Sequence, residues 1–183
     1  MSRRALFLIC VIGLSGCREN PHLDRVAELR GARTGTLDEP LPNPTFLTMD
    51  GDSVPLHDHL GERLTLVNFG GTWCLPCERE MPELQRLHET WTDEGVAIVS
   101  VAMTSPQEDL EEWVEDFGLT LTILHGLSGV DWADLFYELR DGVPYTVVVD
   151  DGGRMTRFVR GFRDFDEWSE VIRGDLERGV LEP

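Results

Sequence analysis

Apolar and polar positions recur at different periods along this chain, and those periods lay out its elements. Phe46 to Leu56 alternates around Asp50-Gly51, which predicts a β-hairpin. Leu64 to Phe69 (LTLVNF) reads as a buried strand. From Cys74 to about Asp93, the apolar residues Met81, Leu84, Leu87 and Trp91 fall on one helical face. Val96 to Met103 (VAIVSVAM) is short, continuous and β-branched, as in an interior parallel strand. A second helix follows, with Ser105 as the expected N-cap, Leu110, Trp113, Val114 and Phe117 facing inward, and Gly118 as the stop. Next come an apolar stretch at Leu119 to Leu124 and a brief helix expected over Val130 to Leu139. Tyr145 to Val149 and Met155 to Val159 flank Asp150-Asp151-Gly152-Gly153 as a hairpin, and Asp164 to about Arg178 closes the chain as an amphipathic helix. Strand, helix, strand, helix, hairpin and helix make an α/β layout with a mixed central sheet flanked by helices, extended at the N-terminal side by the first hairpin.

The length of 183 residues corresponds to about one domain and is enough to bury a core without disulfide staples. With 34 Asp and Glu against 16 basic residues, all of them Arg, the net charge is −18. Such a surface repels phosphate backbones, and no basic patch offsets it, so nucleic acid is excluded as a partner.

The N-terminal stretch changes the picture of where the protein works. Arg3 and Arg4 precede an apolar run from Ala5 to Leu14, too short to span a bilayer, which needs roughly 20 residues. The run ends in Leu14-Ser15-Gly16-Cys17, which resembles the lipobox of bacterial lipoproteins. That resemblance implies cleavage before Cys17, a lipid on its sulfur, and export to a membrane surface; the alternative is an ordinary signal peptide with an incidental cysteine. The expected organisation is a signal peptide over 1–16, a flexible tether over 17–44 carrying four of the ten prolines, and a folded domain over 45–183.

With Cys10 removed and Cys17 lipidated, Cys74 and Cys77 are the free thiols. Two cysteines do not make a four-ligand zinc site, and no His or Cys pair at finger spacing joins them. His57 and His59 lack a third ligand and read as exposed residues before Leu60-Gly61; His22, His88 and His125 read as surface singletons. No metal or other cofactor is expected. Trp73-Cys74-Leu75-Pro76-Cys77 directly follows a buried strand and opens a helix. One helical turn brings the sulfurs together, and the unsatisfied N–H groups of the helix start favour a thiolate. Cys74 is the expected exposed nucleophile, and Cys77, one turn in, the buried resolving thiol.

These residues resemble the thioredoxin family, specifically its membrane-tethered TlpA/ResA-like branch, over roughly Phe46 to Glu177. The likeness is carried by Leu66-Val67-Asn68-Phe69, Trp73 to Cys77, Glu80-Met81-Pro82 and Gly142-Val143-Pro144. It implies a thioredoxin fold with a kink at Pro82 and a cis-proline at Pro144 opposite the dithiol. It further implies that Val143 and Pro144 hold a substrate peptide beside Cys74. Asn68 stands where thioredoxins proper carry a buried Asp, and Glu80 resembles the buried acid of the branch, implied to accept the Cys77 proton. Trp73 reads as an apolar platform for substrate or as a packing residue. The branch also implies protein disulfides as substrates, apocytochrome c among them, and a membrane electron donor. Two departures stand out. Gly70-Gly71-Thr72 replaces an aromatic approach to the motif, which is expected to loosen that approach, and Ile123-Leu124-His125 lacks an acid after the strand.

Leu75 and Pro76 give the thiolate no cationic support, while Glu78 and Glu80 add negative charge; both favour a reductant over an oxidant. A thiol peroxidase would place Thr three residues before its cysteine, whereas Thr72 is two before Cys74. A copper carrier would space its cysteines further apart. A lipoprotein binding module with a structural disulfide is the non-enzymatic alternative.

Overall fold

Strand β4 (Leu64–Gly70) is buried at all seven positions because it is covered on every side. It runs parallel to β5 (Val96–Ala102) and antiparallel to β7 (Tyr145–Asp150). A computed structural model describes residues 34–126 and 142–179. Within them the remaining strands are β1 (Thr34–Pro40), β2 (Thr45–Thr48), β3 (Ser53–Pro55), β6 (Thr122–His125) and β8 (Arg154–Arg160). The helices are α1 (Leu75–Trp91), α2 (Gln107–Phe117) and α3 (Phe165–Gly179). The strands form one mixed sheet in the order β1-β8-β7-β4-β5-β6-β2-β3, with β4, β5 and β6 parallel and the other pairs antiparallel. This is the mixed α/β architecture expected, with the β2–β3 hairpin added at one edge.

The alternation of β4 sorts the core into two halves. Leu64 and Leu66 face Met81, Leu84 and Leu87 of α1, Leu110 and Trp113 of α2, and Trp168 and Ile172 of α3. Val67 and Phe69 point to the opposite face, with Val99, Val101, Tyr145 and Val147, under Leu41, Phe46 and Leu56. Gly118, at a left-handed φ of 59°, ends α2 as expected. Arg157 of β8 reaches Asp175 of α3 at 2.9 Å and ties that helix to the sheet. Among the described residues no helix is long and apolar enough to cross a membrane. The signal peptide expected over 1–16, Cys17 and the helix expected over Val130 to Leu139 lie outside the described residues.

Three expectations are corrected. The sequence predicts a tether through residue 44, yet Thr34–Pro40 is strand β1, paired to β8 from Thr34↔Val159 to Pro40↔Arg154. Arg154 holds it by gripping Asp38, with Nε at 3.0 Å and Nη2 at 2.7 Å from Oδ1. Of the prolines that suggested a linker, Pro40 takes the last position of this edge strand, which tolerates the missing N–H, Pro42 and Pro44 follow it, and Pro21 lies outside the described residues. Ser105 does not cap α2; Pro106 holds the N-cap position without a side-chain bond. His125 is buried, not a surface residue, because β2 covers β6, and its Nε2 lies 3.0 Å from the Thr48 carbonyl.

Gly61, in the turn before β4, is a point where the fold admits no side chain. Its N–H donates to Thr65 Oγ1 at 2.8 Å. A methyl there would lie 2.5 Å from the Leu64 carbonyl oxygen, 2.6 Å from the Ala97 nitrogen and 2.8 Å from the Gly95 carbonyl oxygen. Gly61→Ala is expected to destabilise the protein by about 1–3 kcal/mol, read as a lower urea midpoint at unchanged slope.

Candidate active site

Strand β4 ends in Gly70, and the chain crosses Gly71, Thr72 and Trp73 before α1 begins at Leu75. Cys74 is the N-cap of α1: its backbone is extended, its Sγ accepts the Cys77 N–H at 3.3 Å, and Pro76 occupies the first turn, where a missing N–H is harmless. The helical turn closes Cys74 and Cys77 to a Cα separation of 5.2 Å, and their sulfurs are bonded as a disulfide. Cys74 retains 7% of its surface against 2% for Cys77, so the first sulfur is the outer one, though less open than the motif suggested. Leu75 and Trp73 beside it are each 60% exposed.

Across from the disulfide runs the loop before β7. The Val143-Pro144 bond is cis, as the resemblance implied, and the Val143 carbonyl oxygen lies 3.8 Å from Cys74 Sγ. Pro144 is buried and Val143 half-buried. The structure thus brings Cys74, Cys77, Val143 and Pro144 to one point at the end of the sheet.

Behind the sulfurs, Glu80 is 1% exposed. Its Oε1 accepts the Arg163 main-chain N–H at 3.0 Å and the Trp168 indole N–H at 3.2 Å. Its Oε2 accepts Asn68 Nδ2 at 3.0 Å. Burial pushes the carboxyl up from 4.5 to about 7, against the opposing pull of these three hydrogen bonds and the Arg163 charge. Asn68 lies between Thr146 of β7 and Ser100 of β5 in the sheet register, a polar row on the face that meets α1. Its Nδ2 also donates to Thr146 Oγ1 at 2.9 Å, and Ser100 Oγ approaches Met81 Sδ at 3.9 Å.

The two glycines do not loosen the approach to the motif; they allow contact. A methyl at Gly70 would stand 3.2 Å from both Cβ and Sγ of Cys77, and one at Gly71 would stand 2.6 Å from Nε1 of Trp73. The Trp73 ring folds over Gly71 and donates to the Met103 carbonyl at 3.1 Å. Thr104, at a left-handed φ of 47°, turns that neighbouring loop so that Ser105 Oγ meets the Thr72 N–H at 3.0 Å. Thr72 spends its own hydroxyl on Asp109 Oδ2 at 3.2 Å. Arg163 and Trp168 were missed in the sequence as partners of Glu80, and Thr146 as the partner of Asn68. Thr146 alone left a signal, as the polar interruption of an otherwise aromatic and β-branched run.

Comparison with known proteins agrees with this geometry. Residues 37–158 match the AhpC/TSA family. The thiol-disulfide oxidoreductase ResA of Halalkalibacterium halodurans is 31% identical over 130 residues, which cover 68% of this chain and 70% of the relative. ResA of Geobacillus kaustophilus is 34% identical over 137 residues, covering 74% and 72%. In fold, the chain is similar to a thioredoxin-family thiol:disulfide interchange protein of Chlorobium tepidum (TM-score 0.63, 21% identity, 78% of this chain and 99% of that one). It is also similar to a secreted thiol-disulfide isomerase of Corynebacterium glutamicum (TM-score 0.68, 20% identity, 79% and 92%). With a bonded Cys-x-x-Cys pair at a helix start, relatives named thiol-disulfide oxidoreductase and neighbours of the same fold, the chain belongs to the AhpC/TSA family and is a thioredoxin-like thiol-disulfide oxidoreductase.

Proposed function

We propose that this oxidoreductase works in the reducing direction, on protein disulfides outside the cytoplasm, held to a membrane by lipid on Cys17 and recharged by a membrane electron donor. Apocytochrome c is the proposed substrate. The observation that carries the reading is the pairing of an outer sulfur at a helix N-terminus with a buried carboxylate one turn behind the inner one.

In the forward reaction the Cys74 thiolate attacks a substrate disulfide, forms a mixed disulfide and releases one substrate thiolate. Trp73, Leu75 and the Val143-Pro144 loop frame the outer sulfur and are the surfaces on which a substrate peptide rests. Cys77 then loses its proton to Glu80 and attacks Cys74 Sγ; the Cys74–Cys77 bond forms as the bond to substrate breaks. Two electrons pass from the dithiol to the substrate. The helix start favours a Cys74 anion, while the ionised Glu80 opposes a second negative charge near it. No side chain between the cysteines adds a cation, so the reduced form is poorly stabilised and the pair leans toward donating electrons.

Cys77→Ala is expected to trap substrates on Cys74 as stable mixed disulfides, recovered from whole cells and identified by mass spectrometry; Cys74→Ala traps none. Equilibrium titration of the dithiol should give a midpoint well on the reducing side of about −120 mV, the strongly oxidising end of the thioredoxin-like range. A value at that end would reverse the proposed direction.

Glu80 makes a stability prediction with a definite sign. Its folded pKa of about 7 exceeds the usual 4.5, so the native state holds a proton there that the unfolded chain has released. Stability from this group is complete below about pH 4.5 and is lost as pH rises through 7. The loss amounts to about 3 kcal/mol and should be absent in Glu80→Gln, as read from denaturation midpoints across pH. The same variant is expected to slow release from the mixed disulfide roughly 100-fold while leaving the first attack on substrate less affected.

A further inference from the structure

The hydrogen bonds around Glu80 have a directional conflict built into them. Three donors converge on the carboxylate: the Arg163 main-chain N–H, the Trp168 indole N–H and the Asn68 amide. Each suits an ionised Glu80. Once the carboxylate takes up a proton, one of its oxygens becomes a donor and needs an acceptor. A main-chain N–H and an indole N–H are donors only. Of the three, Asn68 alone can change role, because its amide carries an oxygen on the other side of the same plane.

We infer that Asn68 is a positioning residue that couples Glu80 to Cys77 by rotating its side-chain amide through half a turn as the Glu80 proton arrives and leaves. With Glu80 ionised, Nδ2 faces Glu80 Oε2 and Thr146 Oγ1, at 3.0 Å and 2.9 Å. The Oδ1 side faces Gly70, where a methyl would lie 3.8 Å from Oδ1 and 3.2 Å from Cys77 Sγ. With Glu80 protonated, Oδ1 takes the inner position and accepts from Glu80 Oε2–H. The Thr146 hydroxyl, which can donate as well as accept, turns to donate to the same oxygen. Nδ2 is then delivered to the side on which Cys77 packs. The absent side chain at Gly70 leaves the space between that amide and the sulfur unfilled by carbon.

The inference rests on the reductase mechanism proposed above and deepens it. When Cys77 gives its proton to Glu80, the same event turns an N–H toward the sulfur that has become anionic. The Cys77 anion then attacks Cys74 Sγ, the bond between Cys74 and substrate breaks, and the leaving substrate thiolate carries the charge away. Leaving the site, the proton restores the Glu80 carboxylate and the amide turns back. The groups facing the carboxylate are Asn68 from β4, Arg163 ahead of α3 and Trp168 from α3, with Arg163 supplying charge through its guanidinium as well. A burial-raised midpoint of about 7 lets this proton move near neutral pH.

The test reads the Asn68 side-chain amide by nuclear magnetic resonance in the full, oxidised chain, where no turnover is needed. Across a titration spanning neutral pH, its amide protons are expected to show close contacts to Thr146 above the midpoint. Below it they should show contacts to Gly70 Hα and Cys77 Hβ. Contacts that stay with Thr146 throughout overturn the relay and leave the direction of catalysis untouched. A second measurement follows the Cys77 thiolate by ultraviolet absorbance in a Cys74→Ala background, with folding checked by the amide spectrum. There Glu80→Gln is expected to change the thiolate fraction near neutral pH about tenfold with Asn68 present, and less than about twofold in Asn68→Leu. An undiminished effect in Asn68→Leu means that Glu80 acts on the sulfur without the amide, and overturns the relay.

Discussion

A carboxylate sealed from water under a pair of sulfurs is the constraint around which the active end of this protein is arranged. An ionised group at 1% exposure is tolerable only if donors surround it, and those at Glu80 come from β4, from the loop ahead of α3 and from α3 itself. Three elements distant in sequence are thereby drawn onto one side chain of α1. The need to satisfy this group accounts for features that look unrelated along the chain: the Asn inside an apolar strand, the Thr opposite it in β7, and the fully buried indole of Trp168.

The sequence disclosed the fold where periodicity was strong. β4, β5, the β7–β8 hairpin and the three described helices lie close to the positions that their apolar spacing predicts, because each buries a continuous face. Strand β1 was hidden because its fixing interactions are with β8, more than a hundred residues away, and its exposed edge needs few apolar residues. His125 was hidden for the same reason: β2 seals it from the far end of the sheet order. At the site, Cys74, Cys77 and Pro144 were legible from local spacing and resemblance. The partners of Glu80 were not, since an indole N–H and a main-chain N–H carry no sequence mark of what they will meet.

Gly70 and Gly71 show how composition alone misleads. Two glycines before a redox motif read as slack, yet each is occupied in effect by a neighbour's side chain, the thiol of Cys77 at one and the ring of Trp73 at the other. The close approach comes from omission: removing two side chains lets the sulfur sit against bare strand and lets the indole nitrogen come close over the turn. Rigidity follows, because the indole is also pinned to Met103 and the adjoining amide to Ser105.

Strand β1 begins at Thr34, which pairs with Val159 at the same end of the sheet as Gly70 and Tyr145, and its hydroxyl receives Arg163 Nη2 at 3.2 Å. The polypeptide therefore joins the domain beside the redox centre, not at the opposite pole. Anything carried on the chain ahead of Thr34 is therefore borne at the end of the sheet that holds the dithiol.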